Sequence, residues 1–419
     1  MFIYIQSNIN HTDAWRLTLM VALSIFLATA IKAEEALIIS LDSVEDRISK
    51  QNPDLAAARM RINEAAGRLA QSGRLSNPVL GLELSHDPDF LEHSFSVSLS
   101  QKFPVTNRLS LARSISKTHL KAAEAEVLEV KRLLSSRGKQ LVIRILAIQK
   151  QGHLLQQQKA LADEFASHLA ELARKGEGSA LDAGQAKIVA AQFTNRLQQL
   201  AVRTSMIEGE LKPLLGMTIT EPLSVSGHLS DFKLPKRSYQ IDNRPDLIAA
   251  RLHATAAATS AELERARSRD DIELILTAGT NRSEDAPLGY DTEQHFGIGI
   301  RIPLPFWDRN QGTIDEADAK SSRRQLEASA LEHHIEHQAA ASYEQMNQWA
   351  KIGREITKQL LPLAHEQAKL ALNAYHEGQG DIQSTLRAKE QVLKLASARL
   401  EALRDFHLAK ARYRSALNQ

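Results

Sequence analysis

The stretch Ser94-Phe-Ser-Val-Ser-Leu-Ser-Gln-Lys-Phe103 alternates polar and apolar side chains from Ser94 to Ser100 without a break. Successive side chains on a strand point to opposite faces, so Phe95, Val97, Leu99 and Phe103 share one face and the serines take the other. Only Gln101 interrupts the apolar set. Three more runs read the same way. In 78–86, Leu80, Leu82 and Leu84 alternate with Gly81, Glu83 and Ser85. In 294–303, Phe296, Ile298, Ile300 and Ile302 alternate with Gly297, Gly299 and Arg301. The run 271–280 is less regular: Ile272, Leu274 and Leu276 are apolar, and Ile275 breaks the polar set.

A sheet packed on a helix would show this alternation, and so would a membrane barrel with lipid outside and water inside. Strands of roughly nine to eleven residues suit a barrel crossing. Four strands cannot close a barrel, and open edges are not tolerated in lipid. Pooling staves between protomers resolves this: two chains would supply eight strands and three would supply twelve.

The N-terminus favours export. Arg16 precedes an apolar run over 17–30, small residues stand at Ala28, Ala30 and Ala33, and Glu34-Glu35 follows. This predicts a secretory signal peptide over 1–33. The run is short for a membrane-spanning helix. The 419 residues contain no cysteine, which excludes disulfides, thiolate metal sites, Cys nucleophiles and a Cys-linked lipid. Lys+Arg 52 against Asp+Glu 50 offers no general nucleic-acid face.

The chain repeats itself. Asn52-Pro-Asp-Leu-Ala-Ala-Ala-Arg59 returns as Arg244-Pro-Asp-Leu-Ile-Ala-Ala-Arg251. Gln101-Lys-Phe-Pro104 is echoed by Ile300-Arg-Ile-Pro303, and Lys175-Gly-Glu-Gly178 by Glu377-Gly-Gln-Gly380. Three landmarks in the same order, each roughly 200 residues apart, predict a tandem duplication. The first repeat spans 40–220: a helix, the strand pair 78–86 and 93–103, a long helix 107–175 and a helix 179–215. A linker occupies 221–240. The second repeat spans 241–419: a helix 245–269, the strand pair 271–280 and 294–303, a long helix 310–377 and a helix 381–417.

From Arg108 to Lys175 there is no proline, which predicts a rod of roughly 100 Å at about 1.5 Å per residue. Leu120, Val127, Leu134, Leu141, Ile148, Leu155, Ala162 and Leu169 recur every seven places, as do Ala328, Ile335, Ser342, Trp349, Ile356, Leu363 and Leu370. That period predicts supercoiled helix pairs. Pro362 is expected to kink the second rod. The fold class is α+β, dominated by long antiparallel coiled-coil helices.

No nucleophile motif, phosphate loop or dense ligand cluster points to an enzyme or a cofactor. His333, His334 and His337 lie on one helix with metal-compatible spacing, but Glu332 and Glu336 interleave, and the stripe reads first as a solvated helix face. The two glycine-containing turns read at minimum as helix caps.

Asn52-Pro-Asp-Leu, Leu75-Ser-Asn-Pro78, Lys175-Gly-Glu-Gly-Ser-Ala-Leu-Asp182 and Tyr375-His-Glu-Gly-Gln-Gly-Asp381 resemble the TolC-type outer-membrane efflux proteins. The resemblance covers essentially the whole chain after the signal peptide. The run 302–312, Ile-Pro-Leu-Pro-Phe-Trp-Asp-Arg-Asn-Gln-Gly, looks like the subgroup that serves cobalt–zinc–cadmium pumps. The resemblance implies a homotrimer with a twelve-stranded barrel in outer-membrane lipid and a helical tunnel in the periplasm. It implies a passive conduit docked on a periplasmic adaptor and an inner-membrane pump, of the RND type. It also implies a gate: Asp182 falls on a gate carboxylate and Tyr375 on a gate tyrosine, with Asp381, Ser384 and Arg387 alongside. The family pattern expects an arginine near Gly380 and carboxylates at Ser384 and Arg387, so the gate chemistry here departs from it. Gly176, Glu177, Gly178 and Ser179, with Gly378, Gln379 and Gly380, become the adaptor-docking tips. A periplasmic adaptor protein is the other function considered; such proteins carry one hairpin rather than a tandem repeat with four amphipathic strands.

Overall fold

The computed structural model describes residues 36–88, 92–285 and 289–418. The expected signal peptide over 1–33 lies outside them. Strands β2 (Val79–His86), β3 (His93–Phe103), β5 (Ile272–Asp285) and β6 (Gly289–Arg301) form one antiparallel sheet in the order β2-β3-β5-β6. The register places Leu82 opposite Val97, Val97 opposite Ala278 and Ala278 opposite Phe296. One face therefore collects Leu80, Leu82, Leu84, Phe95, Val97, Leu99, Leu274, Leu276, Phe296, Ile298 and Ile300. The other collects the serines of β3, Gly279, Gly297 and Gly299, and there Ile275 stands between Ser100 and Gly299. The apolar face is bare: Leu84 is 77% exposed and Phe296 83%.

The second strand pair runs further than the apolar alternation indicates. Asn281 pairs with Glu293 and Arg282 with Thr292, because ladder hydrogen bonds need backbone and not greasy side chains. β6 ends at Arg301, two residues before the first of two prolines, Pro303 and Pro305, which lack the N–H a ladder requires. Beyond it Trp307 is 92% exposed and packs edge-on against Phe306.

Two short helices, α1 (Val44–Gln51) and α2 (Pro53–Gln71), precede the first hairpin. The first rod is α3 (Arg108–Lys175), and α4 (Ala180–Leu214) returns beside it. In the second repeat, α5 (Pro245–Ala266) precedes the strands. The rod that follows is not one α-helix. It runs as α6 (Gln311–Glu355), a π-helical turn over Ile356–Leu360, and α7 (Leu361–His376), and then α8 (Ile382–Ala416) returns. In the π turn, the Leu361 N–H donates to the Ile356 carbonyl, five residues back. Pro362, just beyond it, has no N–H to offer and crowds the preceding turn. The extra residue of a π turn absorbs that conflict.

The π turn also corrects the seven-residue reading. Upstream, Ala328, Ile335, Ser342 and Ile356 are buried. Downstream, the expected seam residues Leu363 and Leu370 are 53% and 61% exposed, and Ala364 is buried at 7%. One inserted residue has rotated the seam by about 100°.

The largest core lies midway along the rods, where β1 (Leu37–Ile39) pairs in parallel with β4 (Leu223–Val225). Phe232 from the linker packs edge-on against Phe406 and lies over Gly353, where an added Cβ would come within 2.0 Å of the ring. The two Pro-Asp-Leu motifs occupy matching places here. Asn52 caps α2 through its side-chain oxygen and donates its amide to the Leu214 carbonyl at 3.0 Å. Arg244, at the matching place before α5, donates to the Ala416 carbonyl at 3.3 Å. In each repeat, the residue before Pro-Asp-Leu ties the first helix to the end of the last.

Candidate functional site

Both rods end in turns of the same construction. At the first, Gly176 caps α3 with a left-handed φ of 76°. The Gly176 N–H donates to the Ala173 carbonyl at 3.2 Å and the Glu177 N–H to the Leu172 carbonyl at 3.0 Å. At the second, Gly378 takes a φ of 73° and donates to the Tyr375 carbonyl at 3.1 Å, while Gln379 donates to Ala374 at 2.9 Å. A left-handed residue after a helix closes its last carbonyls, and glycine does so without a Cβ clash. Ser179 then caps α4, accepting from the N–H groups of Leu181 and Asp182. Asp381 caps α8, accepting from the Ser384 N–H at 2.6 Å, and the Ser384 hydroxyl donates to the Asp381 carbonyl.

These turns bring several of the sequence-identified residues together. Tyr375 leaves the end of α7 and packs edge-on against Phe165 of α3, with ring centroids 6.2 Å apart. It joins an apolar knot built on Ala166, Leu169, Ala186 and Ile382. Burial, and then the negative charge of Asp182, hold the Tyr375 hydroxyl above its ordinary pKa of 10.0. Asp182 and Tyr375 thus face one electrostatic environment although they belong to different repeats. Asp381 is exposed, and its carboxyl lies below the usual range through its bonds with Ser384 and, more weakly, the charge of Arg387. Arg387 lines a cavity of about 630 Å³ between the two hairpins.

Sequence reasoning passed over four residues of this region. The Lys389 ammonium lies 4.7 Å from the centre of the Phe165 ring, a cation–π contact. Its pKa is lowered, chiefly by burial. The Gln383 amide donates to Gln185 at 2.8 Å and ties α8 to α4. The partners in each pair are far apart in the chain, and no local motif marks them.

His333, His334 and His337 do not converge on a site. His333 is 3.6 Å from Glu336 on its own helix. Among the described residues, no group of three His, Asp or Glu is placed to hold a metal ion. No described helix is long and apolar enough to cross a membrane. The four-stranded sheet is the element with a bare apolar face, and the rods extend away from it.

The fold is thus a sheet of four amphipathic staves joined to paired helical rods. Residues 238–419 match the family model described as outer membrane efflux protein. The cobalt-zinc-cadmium resistance protein CzcC of Cupriavidus metallidurans is 20% identical over 365 residues, covering 85% of this chain and 84% of that one. The solved structure of CusC superposes with a TM-score of 0.76 at 18% identity, over 90% of this chain and 91% of that one. That of the outer membrane protein VceC from Vibrio cholerae gives 0.72 at 20% identity, over 90% and 95%. Residues 238–419 thus carry the outer membrane efflux protein model, and over 90% of its length the chain has the fold of these solved channels.

Proposed function

We propose that three copies of this chain close one barrel of twelve strands and one periplasmic tunnel. Through it, substrate passes without energy input from this component. The observation that carries this reading is the sheet. Its apolar face is exposed from Leu80 to Leu84 and from Phe296 to Ile300, and β2 and β6 each pair on one side only among the described residues. Neighbouring copies would cover those edges, as lipid requires. At the far end, the turns at Gly176–Ser179 and Gly378–Gly380 dock a periplasmic adaptor, which connects to an inner-membrane pump of the RND type. Asp182, Tyr375, Asp381, Ser384 and Arg387 hold the inner end closed. The segment 1–33 directs export.

The exported substrates are divalent metal cations. The likeness to a cobalt-zinc-cadmium resistance protein supports this, as does the run 302–312. Removing the gene from its host is expected to lower the zinc, cobalt or cadmium concentration that stops growth, with recovery when it is restored. Unchanged tolerance in a strain without a second copy would reject the metal substrate and leave the channel standing.

A further inference from the structure

A cavity of about 1060 Å³ opens midway along the rods, where the last turns of α8 face α3. Its charges are unevenly matched. On the α3 side, Lys131 and Lys139 reach Glu45 at 3.7 and 2.8 Å, and Arg132 reaches Glu129 at 2.5 Å. On the α8 side, Lys410 and Arg414 are one turn apart on the same helix face. Neither has a carboxylate within ion-pair distance among the described residues. Asp42 and Glu124 also line the cavity, but they pair with neither cation. Burial, and the nearby charges of Arg414 and Lys233, push the Lys410 ammonium below its ordinary value. Lys410 is half-buried and Arg414, one turn on, is exposed; a partly desolvated ammonium beside a second cation and without an ion-pair partner is costly unless something anionic joins them.

The cavity also holds hydroxyls. Ser135 of α3 lines it, is 4% exposed, and its Oγ is the one buried side-chain polar atom without a partner among the described residues. Such an orphan is expensive in a folded protein and marks a place where a partner is missing. His407, one turn before Lys410, is bonded through Nε2 to the Ser230 carbonyl at 2.7 Å. Burial keeps its ring below the ordinary imidazole value, so Nε2 donates and the ring brings no positive charge of its own.

We infer that this cavity binds a multiply charged oxyanion, held by Lys410 and Arg414 with hydroxyl donors from the α3 wall. Charge-assisted bonds from an ammonium and a guanidinium suit phosphate and carboxylate oxygens equally. The chemistry selected is therefore that of phosphate-bearing or polycarboxylate ligands.

Pyrophosphate and citrate serve as the two probes, titrated calorimetrically into the full-length protein as purified in detergent, at about 0.15 M salt. Saturable binding of one molecule per chain is expected for at least one probe. The K410Q/R414Q variant is expected to weaken it at least ~10-fold, while the swapped pair K410R/R414K retains it. K117Q, an exposed lysine of α3 outside the cavity, should bind like the parent. No saturable heat with either probe would overturn the inference, as would parental affinity in K410Q/R414Q. Loss of the assembly to monomers in K410Q/R414Q would overturn it too, since it would assign these cations to carboxylates of a neighbouring copy.

Discussion

Tyr375 and Asp182 lie at different tips, and the fold brings them into electrostatic contact with Tyr375 only partly buried. A phenol hydroxyl can donate to a carboxylate, and the charge strengthens the bond. If this pair biases the tunnel toward closure, Tyr375→Phe combined with Asp182→Ala raises single-channel conductance in planar bilayers and leaves the assembly intact. Conductance equal to the parent would place the closing contacts elsewhere. A second residue-scale expectation concerns His407. Its folded pKa lies below the ordinary value of 6.5, with burial as the main cause. The unfolded chain therefore binds the proton first as pH falls. The stability this group contributes is complete above about 6.5 and is lost as pH drops toward the folded value. His119 is shifted the same way, by burial and the charge of His253, so the effects add. Melting temperature should fall between about pH 7.5 and 5.5, and His407→Gln should flatten part of that slope. An unchanged slope in the variant would assign the dependence to other groups. The turn glycines and the caps Ser179 and Asp381 were legible in the sequence, since capping is local chemistry. Phe165 and Lys389 were not, because their partners lie in distant segments.

The element with the greatest consequence for the tip is the π turn at Ile356–Leu360. It changes which face of α7 meets α8, and so it aims Tyr375 at Phe165. The turn is held from outside: the Arg399 Nε donates to the Thr357 hydroxyl at 2.8 Å, and an Arg354 guanidinium N–H donates to the Phe232 carbonyl at 2.9 Å. Deleting the exposed Lys358 should restore a plain α-helical ladder and rotate α7 by about 100°. Leu363 would then turn inward and Tyr375 away from Phe165. The Phe165→Cys/Tyr375→Cys pair should be joined by a bifunctional thiol cross-linker in the otherwise unchanged chain and not in the deletion. Equal cross-linking in both would show that the turn does not set the aim of α7. Pro362 announced a disturbance in the sequence. What form it would take depended on whether neighbouring elements could hold the inserted residue, which no local pattern states.

At the scale of the molecule, the sheet has an exposed apolar face and, among the described residues, two open edges, which is what the proposed assembly would cover. Mass measurement in detergent should give three chains per particle; a stable monomer would contradict the shared barrel. Cysteines introduced at Ser96 and Ser98 should react with a water-borne thiol reagent faster than those at Val97 and Leu99, and the reverse order would invert the faces assigned to the sheet. The α+β class, the four staves and the long rods could be read from the chain because they follow from periods of two and seven, which backbone geometry imposes on any sequence. The duplication could be read because its landmarks are short motifs spelled in order. Tertiary structure decided the rest. It rotated the coiled-coil seam after Leu360 and tied Asn52 and Arg244 to the ends of their repeats. It also brought Lys410 and Arg414 to one cavity, where neither has an ion-pair partner among the described residues. Each of these depends on side chains far apart in the chain, whose meeting is set by packing rather than by spacing.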